Sequence, residues 1–124
     1  MSETRDTIEC GDVFQPKFDD KGLLTAVVVD SGSNAVLMVG FMDAEAVEAT
    51  RQSGFAHFHS RSRGKLWMKG ETSGNTLAVV EILVDCDQDA LVLRCRPAGS
   101  TCHTGATSCF YRRLEQDALE RVNT

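Results

Sequence analysis

Apolar residues fall in short runs along this chain, most with the alternation of strands and few with the repeat of helices. Residues 23–30 are Val-rich and predict a strand. Asp30-Ser31-Gly32-Ser33-Asn34 is turn chemistry, and residues 35–41 predict the returning strand of a hairpin. Asp43 is placed to cap a short helix whose apolar side is Ala46, Val47 and Thr50, with Gly54 as its stop. Residues 55–60 alternate as a strand, Arg61-Ser62-Arg63-Gly64-Lys65 make a basic turn, and Leu66-Trp67-Met68 resume a strand. A polar, glycine-bearing loop spans 69–75. Residues 76–84 give the strongest strand signal, residues 90–96 predict its return, and Pro97-Ala98-Gly99-Ser100 breaks it. Residues 102–108 read as a loop. Leu114, Ala118, Leu119 and Val122 recur at helical spacing, so residues 109–122 predict a second helix. Residues 1–22 are polar and form an arm leading into the domain. The expectation is a mainly β, α+β chain with two short helices.

A length of 124 residues suits one domain over 1–124, with a modest core that a homodimer interface would enlarge. The net charge of −5 excludes a general nucleic-acid binder, which needs a basic face, but leaves room for a locally positive pocket. No apolar run reaches the length of a membrane span, and residues 1–10 lack a signal-peptide core, so a cytoplasmic location is expected. Five cysteines in a reducing compartment point to metal ligands or free thiols more than to disulfides. Cys95 sits in an apolar strand and reads as core; Cys10, in the arm, has no evident role.

The chemistry concentrates in Asp85-Cys86-Asp87-Gln88-Asp89, followed by Cys102-His103 and Cys109. Thiolates suit zinc and carboxylates suit magnesium or calcium, so two chemically different metal positions are expected. The spacing C-x15-C-x6-C matches no common zinc finger. Three thiolates leave one tetrahedral position open for water, as in a catalytic zinc site. His103 is a fourth ligand, a general base, or neither. If residues 85–89 stay extended, Asp85, Asp87 and Asp89 face one side and Cys86 the other, which separates the two sites and permits Cys86 to reach a partner's Cys102 and Cys109. Three close carboxylates repel unless a cation neutralises them, which makes magnesium a reasonable occupant.

Ser60, Arg61, Ser62 and Arg63, with Lys69, Thr72 and Ser73 of the following loop, concentrate hydroxyls and cations in an otherwise acidic chain. They form a candidate phosphate grip without the spacing of a Walker A loop. Phe58, Trp67 and Met68 read as core rather than as base-stacking residues. A zinc deaminase is disfavoured because no His-x-Glu is present; a closed zinc-binding module lacks a clear fourth ligand; a thiol redox protein lacks Cys-x-x-Cys.

Gly40-Phe41-Met42-Asp43, Ser60-Arg61-Ser62-Arg63, Leu66-Trp67, Lys69-Gly70-Glu71-Thr72-Ser73-Gly74-Asn75, Asp85-Cys86-Asp87-Gln88-Asp89-Ala90-Leu91, and Arg96-Pro97-Ala98-Gly99 through Cys102-His103-Thr104-Gly105 to Ser108-Cys109-Phe110-Tyr111 together resemble the phosphoribosyl-AMP cyclohydrolases of histidine biosynthesis. The resemblance implies hydrolytic opening of the adenine ring of 1-(5-phosphoribosyl)-AMP at the N1–C6 bond. It maps Cys86, Cys102 and Cys109 onto zinc ligands drawn from two subunits, and Asp85, Asp87 and Asp89 onto magnesium ligands. It implies a folded mixed sheet forming a pseudo-barrel in an intertwined homodimer. His103 is the first candidate for proton transfer and His57 a weaker one. Relatives usually carry an aromatic residue where His59 stands, so His59 alters ring stacking there or adds a titratable group. The chain ending at Thr124 leads us to expect the stand-alone form of the enzyme.

Overall fold

The structure, a computed structural model, describes residues 9–122. The first eight residues of the predicted arm, and Asn123 and Thr124, lie outside them. The elements run β1 (Leu24–Asp30), β2 (Val36–Met42), α1 (Ala44–Ser53), β3 (His57–Ser60), β4 (Lys65–Met68), β5 (Leu77–Val84), β6 (Ala90–Pro97), β7 (Arg112–Glu115) and β8 (Ala118–Arg121).

The first hairpin forms as its pattern predicts. Leu24, Ala26 and Val28 alternate inward along β1, and β2 pairs antiparallel to it from Leu24↔Met42 to Val29↔Val36. Strand β6 adds parallel to β1, from Thr25↔Ala90 to Asp30↔Cys95, and β5 adds antiparallel to β6. The result is a four-stranded mixed sheet of order β2-β1-β6-β5. Leu91, Leu93 and Cys95 of β6 interlock with the inward residues of β1. Burial pushes the Cys95 thiol up to about 11, as befits the core residue the sequence predicts.

Helix α1 covers this core with Ala46, Val47 and Thr50, the three residues expected to face inward. The Asp43 side chain accepts the Ala46 amide at 2.8 Å, and Gly54, at φ 80°, closes the C-terminus through Thr50. The buried Thr50 hydroxyl then accepts the His57 amide at 2.9 Å, tying the helix to the β3–β4 hairpin. Phe58 of that hairpin is fully buried and stacks obliquely on Trp67, so the core reading of Phe58 holds.

Two expectations are corrected. Residues 109–122 do not form a helix: β7 and β8 pair antiparallel around Gln116 and Asp117, with Gln116 at φ 52°. Leu114, Ala118 and Leu119 satisfy a helical spacing, yet Leu114 and Leu119 also fall opposite each other across a two-residue turn. The turn carries no glycine to announce it. Tyr111 lies against both Arg112 and Arg121, which offsets the repulsion between two cations paired across the strands. One complete helix, not two, therefore stands among the described residues. The sheet also remains open. Edges β2 and β5 do not meet, and no closed barrel forms among the described residues.

Gly40 on β2 faces the Phe58 ring so closely that an added Cβ falls 2.6 Å from Cδ1. Gly40→Ala is expected to displace Phe58 and lower stability by about 1–3 kcal/mol, read as a shifted denaturant midpoint. A wild-type midpoint would show that the ring yields freely.

Candidate active site

The register of the sheet decides what meets at its ends. Thr25 pairs with both Phe41 and Ala90, so the end of β2, the start of β1 and the start of β6 share one end of the sheet. The acidic segment enters β6 there, and Asp43 follows β2 there.

Residues 85–89 are a turn, not the extended segment the alternation allowed. Gln88 adopts φ 60°, and the Asp85 carboxylate accepts the amides of Asp89 and Ala90 at 3.0 and 3.1 Å. The turn gathers Asp85, Asp87 and Asp89 so that their ligand oxygens lie within 4.8 Å of one another. Hydrogen bonding to Asp87 and Asp85 pushes the Asp89 carboxyl up to about 6. For Asp85, partial burial opposes ionisation, but hydrogen bonds from Asp89 and the Ala90 amide outweigh it and lower the pKa. Asp89 thus holds a proton more readily than an isolated carboxyl, because ionising the whole cluster brings like charges together. A hard divalent cation with oxygen ligands relieves the same repulsion, so this donor set fits magnesium.

Gln88, the residue between the last two aspartates, is buried and clamps the arm. Its Oε1 accepts the Gln15 amide at 2.7 Å, its Nε2 donates to the Val13 carbonyl at 3.3 Å, and its own carbonyl accepts the Lys17 amide at 2.7 Å. Phe14 and Phe18 pack on the core beside it. Residues 13–18 of the arm are therefore a strap bound to the acidic turn. A glutamine amid aspartates, able to donate and accept at once, was the one signal the sequence offered for this.

The basic turn between β3 and β4 opens on a cavity of about 770 Å³. Ser60, Arg61, Ser62 and Arg63 line it, joined by His59 and Lys21. Gly64 at φ 64° lets its amide close the turn on the Ser60 carbonyl, and the Ser60 hydroxyl accepts the Arg63 amide at 3.2 Å. The Arg61 guanidinium lies 4.0 Å from the Phe41 ring centroid. Phe41 also borders a second hollow with Lys17 and Asp89, so the basic cavity and the acidic turn share a wall. Lys69, Thr72 and Ser73, grouped with the basic turn on sequence, do not line this cavity.

The cysteine loop belongs to the other end of β2. The Cys109 amide donates to the Leu37 carbonyl at 2.8 Å, and the buried Ser108 hydroxyl donates to that of Val36 at 2.6 Å. Cys102 and Cys109 are hydrogen-bonded to each other. Thr104, through its hydroxyl at 3.1 Å and its amide, lowers the Cys102 pKa, and Cys109 and Lys69 act in the same sense. Burial, with the neighbouring Cys102, raises that of Cys109. The pair thus holds one sulfur whose ionisation is favoured by its neighbours, a donor set that fits a borderline metal such as zinc. Lys69 belongs here electrostatically. His103 is exposed beside Cys102, whereas His57 is spent on structure, its Nδ1 lying 2.8 Å from the Phe55 carbonyl.

Cys86 does not join that pair, and no group of three with it forms among the described residues. Cys86 leaves the sheet at the Phe41 end and Cys109 is anchored at Leu37, four residues away and two strands across. That is about 13 Å along β2 alone, beyond the reach of one metal ion.

The family model described as Phosphoribosyl-AMP cyclohydrolase matches residues 38–111, a stretch that contains the basic turn, the acidic turn and the cysteine loop. This chain belongs to the phosphoribosyl-AMP cyclohydrolase family. A phosphoribosyl-AMP cyclohydrolase of Erythrobacter litoralis is 62% identical over 116 residues, covering 94% of this chain and 93% of that one. Those of Sphingopyxis alaskensis and Rhizorhabdus wittichii are 62% and 57% identical, over 94% of this chain and 90% and 94% of theirs. The similarity to these cyclohydrolases thus extends well beyond the matched segment.

Gln88→Ala is expected to release the strap. Amide exchange at Gln15 and Lys17 should accelerate and the unfolding midpoint should fall by the equivalent of about 1–3 kcal/mol, the cost of stranded buried polar groups. Unaltered exchange would assign the strap's anchoring to Phe14, Phe18 and the Lys17–Gln88 backbone bond.

Proposed function

We propose that this chain opens the adenine ring of 1-(5-phosphoribosyl)-AMP by adding water at C6 and breaking the N1–C6 bond. The product is phosphoribosyl-formimino-aminoimidazole carboxamide ribotide, and the step belongs to histidine biosynthesis. The observation that carries the reading is the pairing of a carboxylate triad with a polarised thiol pair in a member of this family.

In this reading residues 1–124 act as one catalytic domain. Cys86, Cys102 and Cys109 hold zinc, and Asp85, Asp87 and Asp89 hold magnesium. Zinc held by thiolates supplies a bound water acidic enough to act as nucleophile near neutral pH. The chain's own side chains do the rest. Arg61 and Arg63, with the hydroxyls of Ser60 and Ser62, orient the phosphoribosyl groups through charge-assisted hydrogen bonds. Thr104, and in smaller measure Lys69, favour the ionised Cys102 that a ligand requires. Thr72 and Ser73, in the exposed loop after β4, help to position the substrate's phosphates. His103, beside Cys102 and open to solvent, moves a proton toward N1 as the ring opens. Asp85, Asp87 and Asp89 would hold the magnesium, which when bound would supply positive charge toward the substrate's anionic groups.

The working enzyme is a homodimer in which Cys86 of one protomer completes the thiol pair of the other. Two further features support this. The β7–β8 hairpin carries Leu114 at 70% and Leu119 at 58% exposure, and the edge strands expose Val36, Val39, Val80, Leu83 and Val84. Exposed leucines on a two-stranded hairpin call for cover. No helix among the described residues is long and apolar enough to cross a membrane, and the reading places the enzyme in the cytoplasm.

Ring opening followed by absorbance should depend on added magnesium, and Asp85→Asn with Asp87→Asn should abolish that dependence. Turnover indifferent to both would overturn the assignment of the triad. Arg61→Ala should raise KM with little change in kcat; an unchanged KM would remove Arg61 from the grip. Complementation tests the shared site. Cys86→Ser and Cys109→Ser should each be inactive alone, whereas refolding them together should restore about a quarter of wild-type activity, since half the dimers would hold one intact site. No recovery in verified mixed dimers would overturn the shared site.

A further inference from the structure

The basic cavity contains one side chain that neither the turn chemistry nor the reaction has used. His59 sits on β3, two residues from the structural His57, with the fully buried Phe58 between them. Its Nδ1 lies 3.2 Å from Asp43 Oδ2. The contact is off the ideal hydrogen-bond line, and no other group meets that nitrogen. Asp43 is itself fixed, because its other oxygen, Oδ1, caps α1 through the Ala46 amide. The carboxylate therefore spans two duties, and the imidazole is aimed by the start of a helix. Ring geometry turns Nε2 away from Asp43. His59 is partly exposed and lines the cavity, and Nε2 is not among the buried unpartnered atoms. The charged groups around that cavity are Arg61 and Arg63 from the basic turn, Lys21 from the arm and Asp43 from the cap. Cations outnumber the single carboxylate, and that carboxylate is spent on Nδ1 and the helix cap.

We propose that His59, oriented by Asp43, is a further substrate-binding residue whose Nε2 donates to a phosphate oxygen of the phosphoribosyl nucleotide. The inference rests on the reading under Proposed function and deepens it. With a phosphate oxygen at Nε2 and the Asp43 carboxylate facing Nδ1, both ring nitrogens meet anionic oxygens in the complex, and the ring that satisfies both carries a proton on each, alongside Arg61. A histidine here adds a directed donor that an aromatic ring at this position lacks.

The test is steady-state kinetics on the full chain with 1-(5-phosphoribosyl)-AMP. His59→Ala should raise KM about tenfold with kcat changed less than about twofold, as expected for lost ground-state binding. His59→Gln retains a donor nitrogen and should recover much of the loss. Asp43→Asn keeps the helix cap and should raise KM by an intermediate factor. The double variant His59→Ala/Asp43→Asn should be no worse than His59→Ala alone, because the two act as one unit. The proposal is overturned by a KM within about twofold of wild type in His59→Ala of unchanged unfolding midpoint, by a Gln variant no better than Ala, or by additive effects. If the wild type itself does not open the ring, the functional reading has failed and the dyad is judged separately by calorimetric binding of AMP. Binding weakened about fivefold or more in His59→Ala upholds it, whereas equal binding, or none to the wild type, overturns it.

Discussion

The parallel pairing of β1 with β6 is the constraint on which the rest of this structure depends. It fixes Thr25 against Ala90, and the β1–β2 hairpin fixes Thr25 against Phe41. Those two registers bring the acidic turn, the Phe41 ring and the Asp43 cap to one end of the sheet. The cysteine loop, sewn to Val36 and Leu37, is held at the other. A slip of one residue in β6 would turn Leu91, Leu93 and Cys95 out of the core, so burial enforces the register that arranges the chemistry. The separation of Cys86 from the thiol pair is thus a consequence of core packing. Within one chain this register keeps Cys86 apart from Cys102 and Cys109.

Local patterning made most of the fold legible. The β1–β2 hairpin, the capped and terminated α1, and the strands β3 to β6 all follow from signals within a few residues, and Ala46, Val47 and Thr50 were recognisable as the inward face. The hairpin of β7 and β8 was not, because Leu114, Ala118 and Leu119 satisfy two periodicities at once and the turn at Gln116 lacks the glycine that marks such turns. The open sheet order, with β6 inserted beside β1, is a nonlocal choice that no window of sequence contains.

The site divides along the same line. Asp85, Asp87 and Asp89 converge because they are near in sequence, although by a left-handed Gln88 and not by extended alternation. Ser60 to Arg63 share a cavity because one tight turn holds them. Lys69 was grouped with that turn on charge and proximity, but it acts on Cys102 and Cys109 instead. The roles of Gln88, Ser108 and the Asp43–His59 pair each depend on a partner from another element. Their residue types announced hydrogen-bonding capacity without naming the recipient.

The acidic turn shows how the two ends are kept distinct chemically as well as spatially. Among carboxylates whose ligand oxygens crowd within 4.8 Å, Asp89 is pushed up to about 6 by its hydrogen bonds to Asp87 and Asp85, while Asp85 is lowered. Such a cluster is a poor place for an anionic substrate and a good one for a hard cation. Across the shared Phe41 wall, the Arg61 guanidinium is held over the ring face, where a cation is stabilised without a carboxylate partner. Arg61 thus stays free of the triad and available to an anion. Phe41 thus borders both the basic cavity and the hollow beside Asp89, with Arg61 held on its ring face.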